Sequence, residues 1–301
     1  MPLPCPRGDE LMQRATKRLS QGFFRELLTP DNKYEAAAEM YTKAAMQYKL
    51  SHDWIRGALA HESAAKIYQE NLSDDLSTCT AWQNAARAYR CIVPAEAVRC
   101  HVLAARLHME HGRFRAAATH WSECALAQEK QGLLSDALVS YTQSAHCFEA
   151  DNGGSRLRAA EVRIKIASIY MSTKAYGKAA RIYENLARDE EEEGGVGSRF
   201  RIATFRFEAL LCRMADGAAA AFIAEQLELA IHASQHFEGS RQHTLVQRLF
   251  DATNERDPDA FTLAIAEYNA ISPLDSFHIT MLLDMKLAIE RDDDNENQVP
   301  V

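Results

Sequence analysis

Between residues 37 and 183, alanine and a large aromatic ring recur four residues apart: Ala37/Tyr41, Ala64/Tyr68, Ala85/Tyr89, Ala117/Trp121, Ala137/Tyr141 and Ala179/Tyr183. A gap of four places both side chains on one face of an α-helix. Successive rings lie 27, 21, 32, 20 and 42 residues apart, one or two times the length of a helix with its turn. A small residue admits a neighbouring helix and the ring beside it fills what space remains, which is the pattern of stacked antiparallel helix pairs.

Polar breaks fall between the periodic segments, at Pro30-Asp31-Asn32, Ser73-Asp74-Asp75, Val93-Pro94, His111-Gly112, Gln131-Gly132 and Asp151-Asn152-Gly153-Gly154. Each carries turn or cap chemistry. The spacing predicts helices over 8–28, 31–50, 53–71, 74–91, 94–111, 113–130, 133–149, 155–172 and 174–192. The acidic, glycine-rich stretch Asp189 to Ser198 then interrupts the rhythm. Helices over 198–215, 217–235, 238–255, 258–270 and 274–290 follow, and they are expected to cap the open end of the stack as a bundle. The expected architecture is all-α: a TPR-like superhelix of about nine antiparallel helices over 1–192, a C-terminal helical bundle over 193–290 and an acidic flexible tail over 291–301.

Composition supports this reading. Eight prolines and thirteen glycines in 301 residues favour long helices over many short strands. The seven cysteines form no CxxC pair and sit mostly in alanine-rich text, as small buried thiols of a reducing compartment do. Neither a secretory apolar run near the start nor an 18-residue apolar stretch is present, so a cytoplasmic protein is expected. A formal net charge of −8 argues against a general nucleic-acid binder. Charge is uneven, with arginines crowding 156–163 and 199–206 and acids crowding 189–193 and 292–294.

Residue patterns that carry catalytic chemistry are sparse in the chain. His101, His108, His111 and His120 lie near Cys100 and Cys124, but their spacing matches no zinc signature and no HExxH occurs, so they read as helix-face histidines and no metal or cofactor is expected. Phosphate-cradling and nucleophile-elbow motifs are absent, and an enzyme is not expected. Gly22 to Leu28 (GFFRELL) is more distinctive, because four large apolar side chains gather where the first helix should end. Either these rings staple the first helix to the second, or they form an apolar loop that dips into a lipid interface.

Two blocks carry a family resemblance. Leu19 to Tyr48, with SQGFFRELL and KYEAAAEMYTKAAMQYK, and Asp259 to Ile289, DAFTLAIAEYNAISPLDSFHITMLLDMKLAI, resemble the two ends of the soluble NSF attachment proteins, of the α/β type. Gly112-Arg113-Phe114, Tyr141 to Ala145, Ala179 to Glu184 and Ala209 to Cys212 follow in matching order between them. The resemblance implies a cytoplasmic, peripherally membrane-associated adaptor, monomeric alone. Several copies would surround a SNARE complex of the syntaxin-containing kind and recruit and stimulate the hexameric ATPase NSF. The other reading of the same fold is a TPR-like scaffold in an unrelated assembly.

Carried over residue by residue, the resemblance makes Phe23 and Phe24, with Leu27 and Leu28, a membrane-binding loop. Arg113, Lys165 and Arg199 fall on basic positions that would face the SNARE bundle. Thr119 and Glu161 stand where the family has lysines, and Arg115, Arg158 and Arg163 are expected to compensate. Asp251, Glu255, Asp257 and Asp259, with Glu290, Asp292, Asp293 and Asp294, would meet a basic patch on the ATPase. The chain ends Val299-Pro300-Val301 where the family places a leucine next to last.

Overall fold

The computed structural model describes residues 3–20, 30–151, 153–194 and 197–296. Fourteen α-helices and no strand occur among them: α1 (Pro6–Ser20), α2 (Pro30–Leu50), α3 (Trp54–Ile67), α4 (Asp75–Tyr89), α5 (Pro94–Glu110), α6 (Phe114–Lys130), α7 (Leu134–Ala150), α8 (Arg156–Ser172), α9 (Tyr176–Glu193), α10 (Ser198–Ala215), α11 (Ala220–Ala233), α12 (Arg241–Glu255), α13 (Pro258–Asn269) and α14 (Ser276–Glu296). The all-α, TPR-like fold expected from the periodicity is present. Among the described residues, two helix bounds differ from expectation by more than three positions. Helix α3 gives way to a π-helical turn, Tyr68–Leu72, closed by left-handed Ser73, and α14 runs to Glu296 because no glycine or proline interrupts 291–296.

By density of contacts the chain forms two compact units, residues 1–162 and 163–301. In the first, α1 to α6 each pack chiefly on the helix before and the helix after. The six alanines of the Ala/aromatic pattern are all 0% exposed, and Tyr41, Tyr89, Tyr141 and Tyr183 are buried beside them. One cluster of this core joins Ala85, Trp82 and Tyr89 of α4 to Ala97, Cys100 and Ala104 of α5 and to Ala58 and Ala65 of α3. Close approach recurs at the start of the chain, where a Cβ on Gly8 would lie 2.8 Å from the Tyr48 ring. The Tyr48 hydroxyl donates to Asp9 at 2.7 Å across the same α1–α2 contact.

Six of the turns between helices share one construction. After α5, Gly112 N–H donates to Met109 O at 3.0 Å and Arg113 N–H to His108 O at 2.8 Å. This double bond to the last turn requires a left-handed residue between helices, and Gly112 supplies it at φ 66°. The same pair of bonds follows α2 at His52 and Asp53, α6 at Gly132 and Leu133, α8 at Lys174 and Ala175, α10 at Gly217 and Ala218, and α12 at Arg256 and Asp257. The repeated turn is thus the local counterpart of the repeated apolar face.

In the second unit the packing is less linear. Helix α10 touches α9, α11, α12 and α14, which makes it the centre of a bundle. Its Leu210, Leu211 and Cys212 are buried, together with Ile223, Phe237, Leu249, Phe261, Met281 and Leu282 from the surrounding segments.

The alanine faces leave no room for growth. Ala85→Leu is expected to cost about 1–3 kcal/mol of stability through overpacking against α3 and α5, read as a lower urea midpoint at unchanged slope.

Candidate interaction surfaces

In the first unit, Arg113, Arg115 and Arg158 are all exposed. Arg113 caps the start of α6 with its backbone and leaves its guanidinium outside. Arg115, one residue inside α6, is held differently: it donates to Asp151 Oδ2 at 3.0 Å, Ser155 Oγ at 3.2 Å and the Gly153 carbonyl at 2.9 Å. It thereby pins the turn after α7, and its charge is partly answered by Asp151. Thr119 lies one turn further on the same face, its hydroxyl donating to Arg115 O at 3.1 Å. Arg158 opens an exposed stripe of α8 that continues through Glu161 to Lys165 at helical spacing.

In the second unit, Lys165 and Arg199 are exposed, while half-buried Arg163 pairs with Asp189 at 2.5 Å. Of the six basic positions, Arg115 and Arg163 therefore hold the fold as well as face outward. Arg199 is the second residue of α10, and its carbonyl accepts from the Ser234 hydroxyl at 2.9 Å, which fixes that end of the helix.

Four acids converge on the corner between α12 and α13. Asp251 and Glu255 are exposed on the last turns of α12. Asp257 caps α13, accepting from the backbone N–H of Asp259 and Ala260 at 3.0 and 2.8 Å, and Asp259 follows in the first turn. Glu290, on α14, lies 3.5 Å from Lys286. The backbone of Asp292, Asp293 and Asp294 continues α14. The apolar positions Phe23, Phe24, Leu27 and Leu28, and the terminal Val-Pro-Val, lie outside the described residues.

Three of the four histidines singled out in the sequence meet between α5 and α6. His101 Nδ1 and His120 Nδ1 are 3.0 Å apart, and His108 stacks on His120 with ring centroids 5.4 Å apart. A nitrogen pair this close needs one donor and one acceptor, so both rings cannot be protonated with the contact intact. Burial lowers the pKa of all three, that of His120 to about 3, with neighbouring Arg87 opposing charge on His101 and His120. His111 stands apart, paired with Asp75 at 2.8 Å. No group of three ligands able to hold a metal ion occurs among the described residues. Six cysteines are buried and Cys91 is exposed. Burial pushes the Cys79 thiol up to about 11 and the Cys100 and Cys124 thiols to about 12, so they pack as neutral groups.

His278 of α14 is the electrostatic opposite. Burial works against its charge, but Glu208 at 2.9 Å and Asp275 at 2.7 Å outweigh it and raise its pKa to about 9. No described helix is long and apolar enough to cross a membrane. A cleft beside α2, α3 and α4 with three cations on its rim was not anticipated; the pair Arg87 and Arg90, three apart on one helix, was its only sequence signal.

The family whose model matches the chain is described as "Soluble NSF attachment protein, SNAP", over residues 6–290. The chain is 29% identical to the beta-soluble NSF attachment protein of Bos taurus, with 96% of each chain covered. It is 29% identical to the alpha-soluble NSF attachment protein of Homo sapiens, covering 92% of each. It is 27% identical to the probable vesicular-fusion protein sec17 homolog of Schizosaccharomyces pombe, covering 95% of this chain and 98% of that one.

The two histidine environments predict opposite pH responses. The α5–α6 imidazoles have folded pKa values below their unfolded value near 6.5, so their stability is complete above it and is lost as pH falls toward 5, by roughly 1–3 kcal/mol for the cluster. His278 has a raised folded pKa, so its contribution is complete below about 6.5 and is lost as pH climbs through about 9. Hydrogen exchange, corrected for intrinsic rates, should show α5–α6 loosening on acidification and the start of α14 loosening on alkalinisation. His278→Gln should flatten only the alkaline change.

Proposed function

The chain belongs to the soluble NSF attachment protein family, whose members are adaptors rather than enzymes, and from that premise we propose that it binds SNARE complexes and recruits and stimulates the ATPase NSF. The observation that carries this reading is a family match over nearly the whole chain, shared with relatives named for NSF attachment and vesicular fusion. The work falls to SNARE disassembly in membrane fusion and vesicle transport. In this reading residues 1–192 act as the SNARE-facing stack, 193–290 as the ATPase-facing bundle and 291–301 as an acidic extension.

The SNARE contact is electrostatic. Exposed Arg113, Arg158, Lys165 and Arg199 supply cations with no ion-pair partner among the described residues, and Arg115 and Arg163 add charge already anchored to the fold. Complementary surface charge of this kind speeds encounter and sets orientation. Asp251, Glu255, Asp257 and Asp259 form the acidic corner offered to a basic patch of NSF, with Glu290 and Asp292 to Asp294 extending it. Phe23, Phe24, Leu27 and Leu28 hold the adaptor to the membrane surface, each ring gaining on the order of 1.5–3 kcal/mol if wholly removed from water.

The deciding experiment is ATP-dependent disassembly of a preformed SNARE bundle by NSF with and without this protein. Stimulation is expected. Arg158→Glu with Lys165→Glu should weaken SNARE binding about tenfold or more at low salt, the difference shrinking as salt rises. Asp251→Lys with Glu255→Lys should leave SNARE binding intact and cut NSF recruitment. No binding to either partner would end the adaptor reading.

On SNARE-bearing liposomes, Phe23→Ser with Phe24→Ser should lower the disassembly rate several-fold while leaving the rate on detergent-solubilised bundles unchanged. Equal loss in both settings would show that these rings act in the fold and not at the membrane.

A further inference from the structure

A cavity of about 600 Å³ opens beside the ends of α2, α3 and α4. Half-buried Trp54 and exposed Ile92 supply large apolar surface, backed by Ala45, Gly57 and Ala88. Lys49, Arg87 and Arg90 stand exposed around it. None of these three has a carboxylate at ion-pair distance among the described residues. The single acid of the lining, Asp53, is already engaged: it caps α3 through the Arg56 N–H at 3.0 Å and pairs with Arg56 Nε at 2.5 Å.

Each cation taken alone has an ordinary explanation, because all three sit in the last turn or at the end of a helix, where positive charge meets the carbonyl pole. That explanation does not require them to surround one cavity, nor the cavity to be walled by an indole and an isoleucine. An apolar floor with a rim of unanswered cations fits a ligand of the reverse pattern, apolar at its centre and anionic at its edges.

We infer that this cleft docks a short acidic segment of a partner protein, one large apolar side chain entering between Trp54 and Ile92 while flanking carboxylates meet Lys49, Arg87 and Arg90. A peptide fits better than a phosphate-bearing small molecule, because most of the lining is apolar and the cations are spread over two helices and a turn instead of converging on one point. The site uses none of the residues assigned above to SNARE or ATPase binding, and it stands or falls independently of the adaptor reading.

The full-length chain provides its own reporter, since Cys91 lines the cleft and is exposed while the other six cysteines are buried. The probe is a blocked peptide of glutamates flanking one phenylalanine, with a phenylalanine-to-alanine peptide and a lysine-for-glutamate peptide as controls. Saturable binding below about 1 mM is expected, tighter at low salt, with slowed maleimide modification of Cys91 and a shift in tryptophan emission. Arg87→Glu with Arg90→Glu should weaken the peptide tenfold or more. Lys49→Gln and Ile92→Ala provide milder changes, each expected to weaken it several-fold, should the double reversal disturb folding. Absence of saturable binding, equal binding of the alanine peptide, or an unprotected Cys91 would overturn the proposal. So would displacement of the peptide by equimolar inorganic phosphate, or a preference for phosphatidylserine vesicles over the peptide.

Discussion

The contact on which everything else rests is alanine against neighbouring helix. Six alanines spaced along 37–179 are fully buried, each one turn before a ring. A methyl at the point of closest approach lets two helices pack with few voids, and the ring one turn away occupies the space where they diverge. Because each helix of the first unit touches mainly its chain neighbours, stability there is a sum of such interfaces. A defect in one alanine face is then felt at that joint, with no distant contact to compensate for it.

Apolar faces alone would leave the helices free to slide along one another, and buried charge supplies the register. Glu62, only 7% exposed, accepts from Arg99 at 2.5 Å, and Arg99 also binds Glu96 at 2.6 Å and lies 5.7 Å from the Trp82 ring. In the second unit, Glu190 is 6% exposed and pairs with Arg201 at 2.7 Å. Removing the arginine of either pair would strand a buried carboxylate, which costs far more than the pair itself contributes. These pairs fix α3 against α5 and α9 against α10.

The fold was legible in the sequence for a physical reason: the Ala/aromatic pattern encodes the packing contact itself, so all six small positions proved to be core. Helix ends at Gly112 and Gly132 were legible because a left-handed turn favours glycine. The equivalent turns at His52, Lys174 and Arg256 carry no such mark, since those residues adopt the same φ at a cost and nothing in a local reading shows it. Surface sites were less accessible. The acidic corner could be anticipated because its acids lie within nine residues of one another. The cationic cleft assembles Lys49 of α2 with Arg87 and Arg90 at the end of α4, a juxtaposition that only tertiary structure creates. The convergence of His101 and His120 is of the same kind: nineteen residues separate them, and only antiparallel pairing of α5 with α6 brings their rings together.

Stability also helps to sort the charges by what they do. Asp257 is explained by the fold, since it caps α13 and sits at the positive pole of that helix. Asp259, in the same first turn, gains from the same pole. Asp251 and Glu255 have no such account: Glu255 ends α12, where the carbonyl pole disfavours negative charge by a few tenths of a kcal/mol, and Asp251 stands one turn before it. Asp251 takes a hydrogen bond from Gln247 at 2.9 Å, which any short polar residue would equally accept. Where folding rewards a charge, its presence says nothing further, and where folding does not, the charge is free to serve a contact. Within the proposed adaptor role, that distinction singles out Asp251 and Glu255, more than the capping Asp257, as the acids whose replacement tests the contact with NSF.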